Sequence, residues 1–409
     1  MDVVIAGGGV AALETALALR DLAGDRVSIK MLAPEEDFVF KPLSVGEPFA
    51  LGDAQRLPLK KFAHDVGVEL AQDGLASVSP GSHLLRTESG EELRYEKLVV
   101  ATGALREEPY EHATTFRGQE DSEKLHGLIQ DLEDQYARRI AFVVPPGVTW
   151  SLPLYELALM AARRAFEMSL GDVEITLITP EERPLAAFGP SPSDDVRALL
   201  DQAGITGHYS AHAEVPRKGT VVVHPGGEEI ICDRIVTLAR LRGLAIPSLP
   251  HDDEGFLPID NHGHVTGVDD VYAAGDGTNF SIKQGGIACQ QADAVAEVIA
   301  KSAGASLEPR SFRPVLRGHL ITGGESRFMR TSLSGREGDD AQSSPETLWW
   351  PPSKIAGRHL SPYLFGREED EILSAAPGPH REVALAPKLE GGDLRTNIDV
   401  LATSAAGAV

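Results

Sequence analysis

"MDVVIAGGGVAALETALALR", residues 1–20, decides the fold. Val3 to Ala6 read as a short apolar strand, Gly7, Gly9 and Ala12 spell Gly-x-Gly-x-x-Ala, and an alanine- and leucine-rich helix follows to Arg20. The first glycine permits a tight turn and the second lets backbone approach a pyrophosphate. The small Ala12 lets the helix pack closely on the strand. The helix N-terminus then presents partial positive charge to the phosphates. Placed between a strand and a helix, the pattern reads as a nucleotide-binding turn.

Further along the chain, the strand "RVSIKML" from Arg26 should end in an acid that meets the adenosine ribose about 20 residues after the glycines. The acids arrive slightly late, at Glu35 and Glu36, so Glu35 is the candidate, and a solvated acidic turn is the competing reading. Two more turns select the cofactor. "YEKLVVATGA" places a strand before Thr102 and Gly103, and "VDDVYAAGDGTNF" places another before Gly275, Asp276 and Gly277. In a flavoprotein the aspartate of the second turn accepts a ribityl hydroxyl. The following stretch, "GGIACQQADAVAEVIA", has helical period, and its N-terminus favours negative charge on the flavin pyrimidine. FAD is the cofactor these pieces imply.

With these motifs in order, the chain resembles the FAD-dependent pyridine-nucleotide-disulfide oxidoreductase superfamily over roughly residues 1 to 305. Within it, "DFVFKPLSVGEPF" and "SIKQGGIACQQAD" are most similar to sulfide:quinone oxidoreductases and type II NADH:quinone oxidoreductases. The resemblance implies an α/β fold of two dinucleotide-binding (Rossmann-like) domains, one inserted in the other, plus a C-terminal cap. Its expected boundaries are 1–104 with 250–305 for FAD, 105–249 for the insert, 306–366 for the cap and 367–409 for a disordered tail. It also implies that Gly7, Gly9 and Ala12 hold pyrophosphate, that Thr102 and Gly103 line FAD, and that Gly275 and Asp276 meet the ribityl chain. Lys283 would sit by the flavin pyrimidine and a quinone pocket, against the alternative of a surface lysine at a helix start.

The inserted unit opens with "FVVPPGVTWSLPLYELALM", residues 142–160, where a nicotinamide-binding turn would carry glycines. Pro145 and Pro146 remove two amide donors, and Trp150 adds bulk where the cofactor would lie. Glu181 and Glu182, after the next strand, could still meet a ribose and would repel the 2′-phosphate of NADP. Sulfide-oxidising relatives carry a cysteine in this neighbourhood, whereas this chain offers Trp150 and Ser151 and has no cysteine between residues 1 and 231. Its two cysteines, Cys232 and Cys289, read as packing residues, although an early helical position could lower the Cys289 pKa.

Bulk properties set the frame. The 409 residues suit two or three domains, and a net charge of -23 argues against nucleic acid or anionic lipid as general partners. No run is long enough to span a membrane and no charged leader precedes the first strand. A cytoplasmic protein is expected, at most peripheral on the inner membrane face. No metal set stands out, and His262 and His264 read as a surface hairpin. Arg310 to Arg336 hold six arginines against one glutamate, read either as a docking face for an acidic redox partner or lipid, or as internal pairing. "ETLWWPPSKIAGRHLSPYLFG" ends in a short apolar helix that packs over the flavin, on a membrane interface or on a partner in a homodimer.

The expected activity is an FAD-dependent oxidoreductase that takes electrons from an unidentified small-molecule or protein donor to a quinone-like acceptor. Lys283 and Trp150 would stand at the reacting end. An NAD(P)H-dependent quinone reductase with an atypical loop and an FAD-containing protein-binding or redox-sensing module are the alternatives.

Overall fold

The computed structural model describes residues 1–333 and 340–365. The expected tail, 367–409, and Arg336 lie outside the described residues. The chain opens with β1 (Asp2–Ala6), α1 (Val10–Ala23), β2 (Ser28–Leu32), β3 (Glu69–Ala71) and β4 (Lys97–Val100). A second series follows, with β5 (Thr114–Phe116), β6 (Arg139–Val143), α2 (Leu152–Glu167), β7 (Glu174–Ile178), β8 (Ile205–His208) and β9 (Arg234–Leu238). β10 (Val271–Ala273) then returns to the first sheet, whose order is β10-β4-β1-β2-β3 with every pair parallel. The second sheet, β5-β9-β6-β7-β8, is also wholly parallel.

Parallel strands covered on both faces are apolar without alternation. β1 obeys this, because Val3, Val4, Ile5 and Ala6 are all buried, with Val3 and Ile5 in one cluster and Val4 and Ala6 in another. In β6, Ile140 and Phe142 face one cluster while Ala141 and Val143 face the other. β1 and β6 are thus central strands of two doubly covered α/β sheets.

α3 (Gly285–Ser302) packs along α1 on a seam of small residues, with Ala11, Ala16, Ala288, Ala292 and Ala296 all in one buried cluster. Small side chains bring two helix axes close, which sets the two helix N-termini beside the same turns. The last part of the described chain forms an antiparallel sheet, β11 (Val315–Leu320), β12 (Arg327–Ser332) and β13 (Gln342–Ser344), followed by α4 (Leu360–Phe365). Leu316 and Leu320 bury against α2, and a side chain at Gly318 would have to displace its neighbours there. A Cβ on it would lie 2.5 Å from Phe188 Cζ and 2.9 Å from Leu152 Cδ1.

α4 is anchored to the first helix. The Glu14 carboxylate, in the second turn of α1, accepts the His359 and Leu360 N–H groups at 2.8 and 2.7 Å. This is an N-terminal helix cap supplied from the far end of the sequence.

Candidate active site

The turn after β1 fits a pyrophosphate. Gly7 has φ +136°, and a Cβ on it would stand 2.1 Å from the Ala101 carbonyl oxygen, so only glycine fits. Gly9 is different: a Cβ there meets nothing within 4 Å, so the space above the turn is open. The first turn of α1 holds no acid and no side-chain cap, which leaves its amides free for phosphate oxygens. Ala12 is fully buried in the helix seam. Glu35 is exposed, with Oε2 3.6 Å from the position a Gly8 Cβ would take, so its carboxylate overlooks the phosphate turn.

The later glycine turns meet each other. A Cβ on Gly277 would lie 2.9 Å from the Gly103 carbonyl oxygen, and one on Gly275 would lie 3.1 Å from Ala11 Cβ. Thr102 and Gly103 at the end of β4 therefore lie beside the Gly275–Asp276–Gly277 turn. Gln291 on α3 fixes that turn, since its Oε1 accepts the Gly275 N–H at 2.7 Å and its Nε2 donates to Thr278 Oγ1 at 3.2 Å. Gln291 did not stand out in the sequence, where it is one polar residue in a helical run. Burial pushes the Asp276 carboxyl upward, and the nearby charges of Lys283, Arg106 and Lys41 pull it back.

A cavity of about 500 Å³ opens beside Asp276, lined among others by Phe116, Trp150, Lys283, His319 and Lys354. It brings together the two residues singled out for the reacting end. Lys283 is half-buried rather than on the surface, and lies just ahead of α3. Its Nζ donates to the Thr278 carbonyl and sits 3.7 Å above the Phe256 ring. Burial brings its pKa down to about 8, against the pull of Asp276, Asp252 and Glu254. Trp150 is half-buried and packs on Phe188 at a ring separation of 6.0 Å.

The expectation that Glu181 could serve a ribose is corrected by its orientation. Its Oε2 accepts three hydroxyl hydrogen bonds, from Ser151 at 3.0 Å, Tyr155 at 2.8 Å and Thr179 at 3.0 Å. Burial raises its carboxyl pKa, and these donors oppose the rise. The acid at the end of β7 thus turns inward under α2. Ser151, although it precedes the first residue of α2, spends its hydroxyl on Glu181 rather than on capping the helix. Glu182 is exposed and pairs with Arg183 at 3.3 Å.

Two buried charge clusters escaped the sequence reading. Lys354 Nζ lies 2.6 Å from both Glu156 oxygens, and Glu156 Oε1 also accepts the Ile321 N–H at 2.8 Å. Glu14, Asp293 and His359 bring their ligating atoms within 4.8 Å of one another, with Cys289 beside Glu14. An early helical position does not lower the Cys289 pKa. Burial, with the Glu14 and Asp293 charges beside it, drives it well above the ordinary thiol value. Cys232 is also buried, its thiol pushed up to about 11. The signal for both clusters was a single acid in an apolar helical run, Glu14 in "AALETALAL" and Glu156 in "LYELALM".

The arginine-rich stretch does not form a single face. Arg310 pairs with Glu297 and Arg327 with Glu325, while Arg317 and Arg330 stand opposite each other in β11 and β12. Among the described residues, no helix is long and apolar enough to cross a membrane.

Comparison with known proteins adds the family. The pyridine nucleotide-disulphide oxidoreductase family matches residues 1–292. The sulfide-quinone reductase of Aquifex aeolicus (strain VF5) is 30% identical over 168 residues, a stretch that spans 39% of this chain and 38% of that protein. The rubredoxin-NAD(+) reductase of Pseudomonas putida is 26% identical over 357 residues, 79% of this chain and 86% of that protein. The solved sulfide:quinone oxidoreductase of the hyperthermophilic bacterium Aquifex aeolicus shares the fold, with a TM-score of 0.77 at 19% identity over 84% of this chain and 86% of that one. A strand-to-helix turn that only glycine can build, open amides above it, and a family match over most of the chain agree: this protein belongs to the pyridine nucleotide-disulphide oxidoreductase family and is an FAD-dependent oxidoreductase.

Proposed function

We propose that this enzyme carries electrons from a donor other than a nicotinamide, through FAD, to a quinone-like acceptor received in the cavity between Trp150 and Lys283. The observation that carries the reading is the inward turn of Glu181, whose Oε2 is held by three hydroxyl donors. Pro145 and Pro146 supply no amide for a second pyrophosphate. The sulfide-quinone reductase likeness supports the acceptor class, and both cysteines being buried argues against sulfide as the donor.

FAD, when bound, supplies a two-electron carrier. In this proposal Gly7, Gly9 and Ala12 seat the pyrophosphate at the α1 N-terminus, and Glu35 accepts the adenosine ribose hydroxyls. Asp276, fixed by Gln291 through the adjacent Gly275, would accept a ribityl hydroxyl, and Thr102 and Gly103, beside the same turn, would line FAD. Trp150 and Phe116 give the cavity the flat apolar surfaces that suit an aromatic acceptor. Lys283 holds a proton at Nζ with a pKa close to working pH, so it can neutralise charge beside the pyrimidine and pass a proton to an acceptor oxygen. Domain boundaries at 104, 249 and 305 are part of the same reading.

A second reading, an NADH-dependent reductase, draws on the rubredoxin-NAD(+) reductase match over most of the chain. Anaerobic mixing of the FAD-loaded protein with NADH, NADPH and sulfide in turn separates the two. None should bleach the flavin rapidly, and dithionite-reduced protein should be reoxidised by a short-chain quinone, more slowly after Lys283→Met. Rapid bleaching by NADH would replace the main reading with the second.

A further inference from the structure

Arg317 and Arg330 occupy directly opposite positions in the β11–β12 ladder. Like charges placed so are destabilising, and strands of folded proteins usually avoid them. Elsewhere this acidic chain pairs its arginines freely, as Arg310 does with Glu297 and Arg117 with Asp121. Among the described residues, however, neither Arg317 nor Arg330 makes an ion pair. The Arg317 Nε is buried without a hydrogen-bond partner, and burial first and Arg330 second lower its pKa to about 10. A guanidinium taken out of water without a counter-charge is costly, and an anion between Arg317 and Arg330 would relieve that cost.

The surroundings suit one. Strand alternation turns Leu316 and Gly318 toward α2 and puts Arg317, His319, Phe328 and Arg330 on the other face. There His319 stacks on Phe328 at 4.2 Å, and its Nδ1 is a second buried polar atom without a partner, on a residue only 7% exposed. No acidic residue stands in β11, β12 or β13 themselves, and the nearest on this face, Asp340, spends Oδ1 on the Ser332 N–H and forms no ion pair with either arginine. Guanidinium forks bind tetrahedral oxyanions and carboxylates through paired parallel hydrogen bonds.

We infer that Arg317 and Arg330 form an anion site in the C-terminal sheet that takes a small phosphate-like oxyanion between their guanidinium groups. The depth of the Arg317 Nε favours a free anion over a lipid headgroup, because a bilayer surface cannot follow it below the protein surface.

The test uses FAD-loaded protein, so that the pyrophosphate seat is filled, and titrates inorganic phosphate against chloride at constant ionic strength by calorimetry and thermal midpoint. Wild-type protein should bind phosphate and gain midpoint. Arg317→Gln and Arg330→Gln should each weaken binding by about tenfold or more. The half-exposed Arg330→Gln keeps the test valid if Arg317→Gln does not fold, and Arg330→Lys, which keeps charge but loses the fork, should bind with intermediate strength. Equal phosphate response in wild type and both glutamine variants overturns the inference. So does co-sedimentation with phosphatidylglycerol vesicles in the absence of any response to free phosphate.

Discussion

Replacing Lys354 by Met tests the energetics of the cavity wall. In the native protein, Lys354 Nζ meets both Glu156 oxygens at 2.6 Å with side-chain exposures of 6% and 0%, so neither charge is screened by water. Burial lowers the Lys354 pKa and raises that of Glu156, and each charge opposes the shift in the other. Removing the ammonium leaves Glu156 with one backbone donor, Ile321 N–H, for a buried carboxylate. A buried pair broken from one side costs about 3–5 kcal/mol, whereas removing both charges together costs far less. Lys354→Met should therefore destabilise by about that amount, and adding Glu156→Gln, which keeps an acceptor for Ile321, should restore at least about 2 kcal/mol. Equilibrium urea unfolding of the FAD-loaded protein, followed by circular dichroism and flavin fluorescence, measures the four corners of the cycle. Additive losses in the double variant, or a loss below about 1 kcal/mol for Lys354→Met, would refute a dry, mutually dependent pair.

Two further outcomes separate fold from function. Gly7→Ala should abolish both folding yield and FAD retention, because its Cβ collides with Ala101 backbone, whereas Gly9→Ala should leave apoprotein stability within about 0.5 kcal/mol while weakening FAD at least about tenfold, as read by flavin release on dilution. His319 should make the protein acid-sensitive: burial holds its pKa down to about 3, so below about 6.5 the unfolded chain takes up a proton that the folded one does not. Stability is then lost as pH falls from about 6.5 toward 3, at up to about 1.4 kcal/mol per unit, and His319→Phe should flatten that slope in urea midpoints measured across the range.

The parts legible in the sequence are those that local chemistry enforces. The turn at Gly7, Gly9 and Ala12 announces itself because backbone geometry admits few residues, and Pro145, Pro146 and Trp150 announce a different turn for the same reason. Lys283 and Trp150 could be named as neighbours only through the family's arrangement, and they do line one cavity. The rest depends on partners far away in sequence. Lys354 meets Glu156 across 198 positions and His359 meets Glu14 across 345, and nothing at either end specifies the other. Glu181 illustrates the limit most directly. Its position after β7 suits a ribose, and only the three hydroxyls gathered from Ser151, Tyr155 and Thr179 reveal that it points inward.

The Glu14 anchor bears on how the chain is made. On the ribosome, α1 emerges with its alanine seam bare, β10 and α3 follow some 250 residues later, and the helix that Glu14 caps comes later still. Contacts of such separation must close large loops before they return any stability, so the first unit to be synthesised is among the last to be completed. Meanwhile the second parallel sheet, whose strands are contiguous between residues 114 and 238, can form on its own schedule. The core under the second sheet, however, is itself completed by later residues, since Ile287, Leu316 and Leu320 belong to it. FAD capture, which requires the turn after β10, belongs to the end of biogenesis.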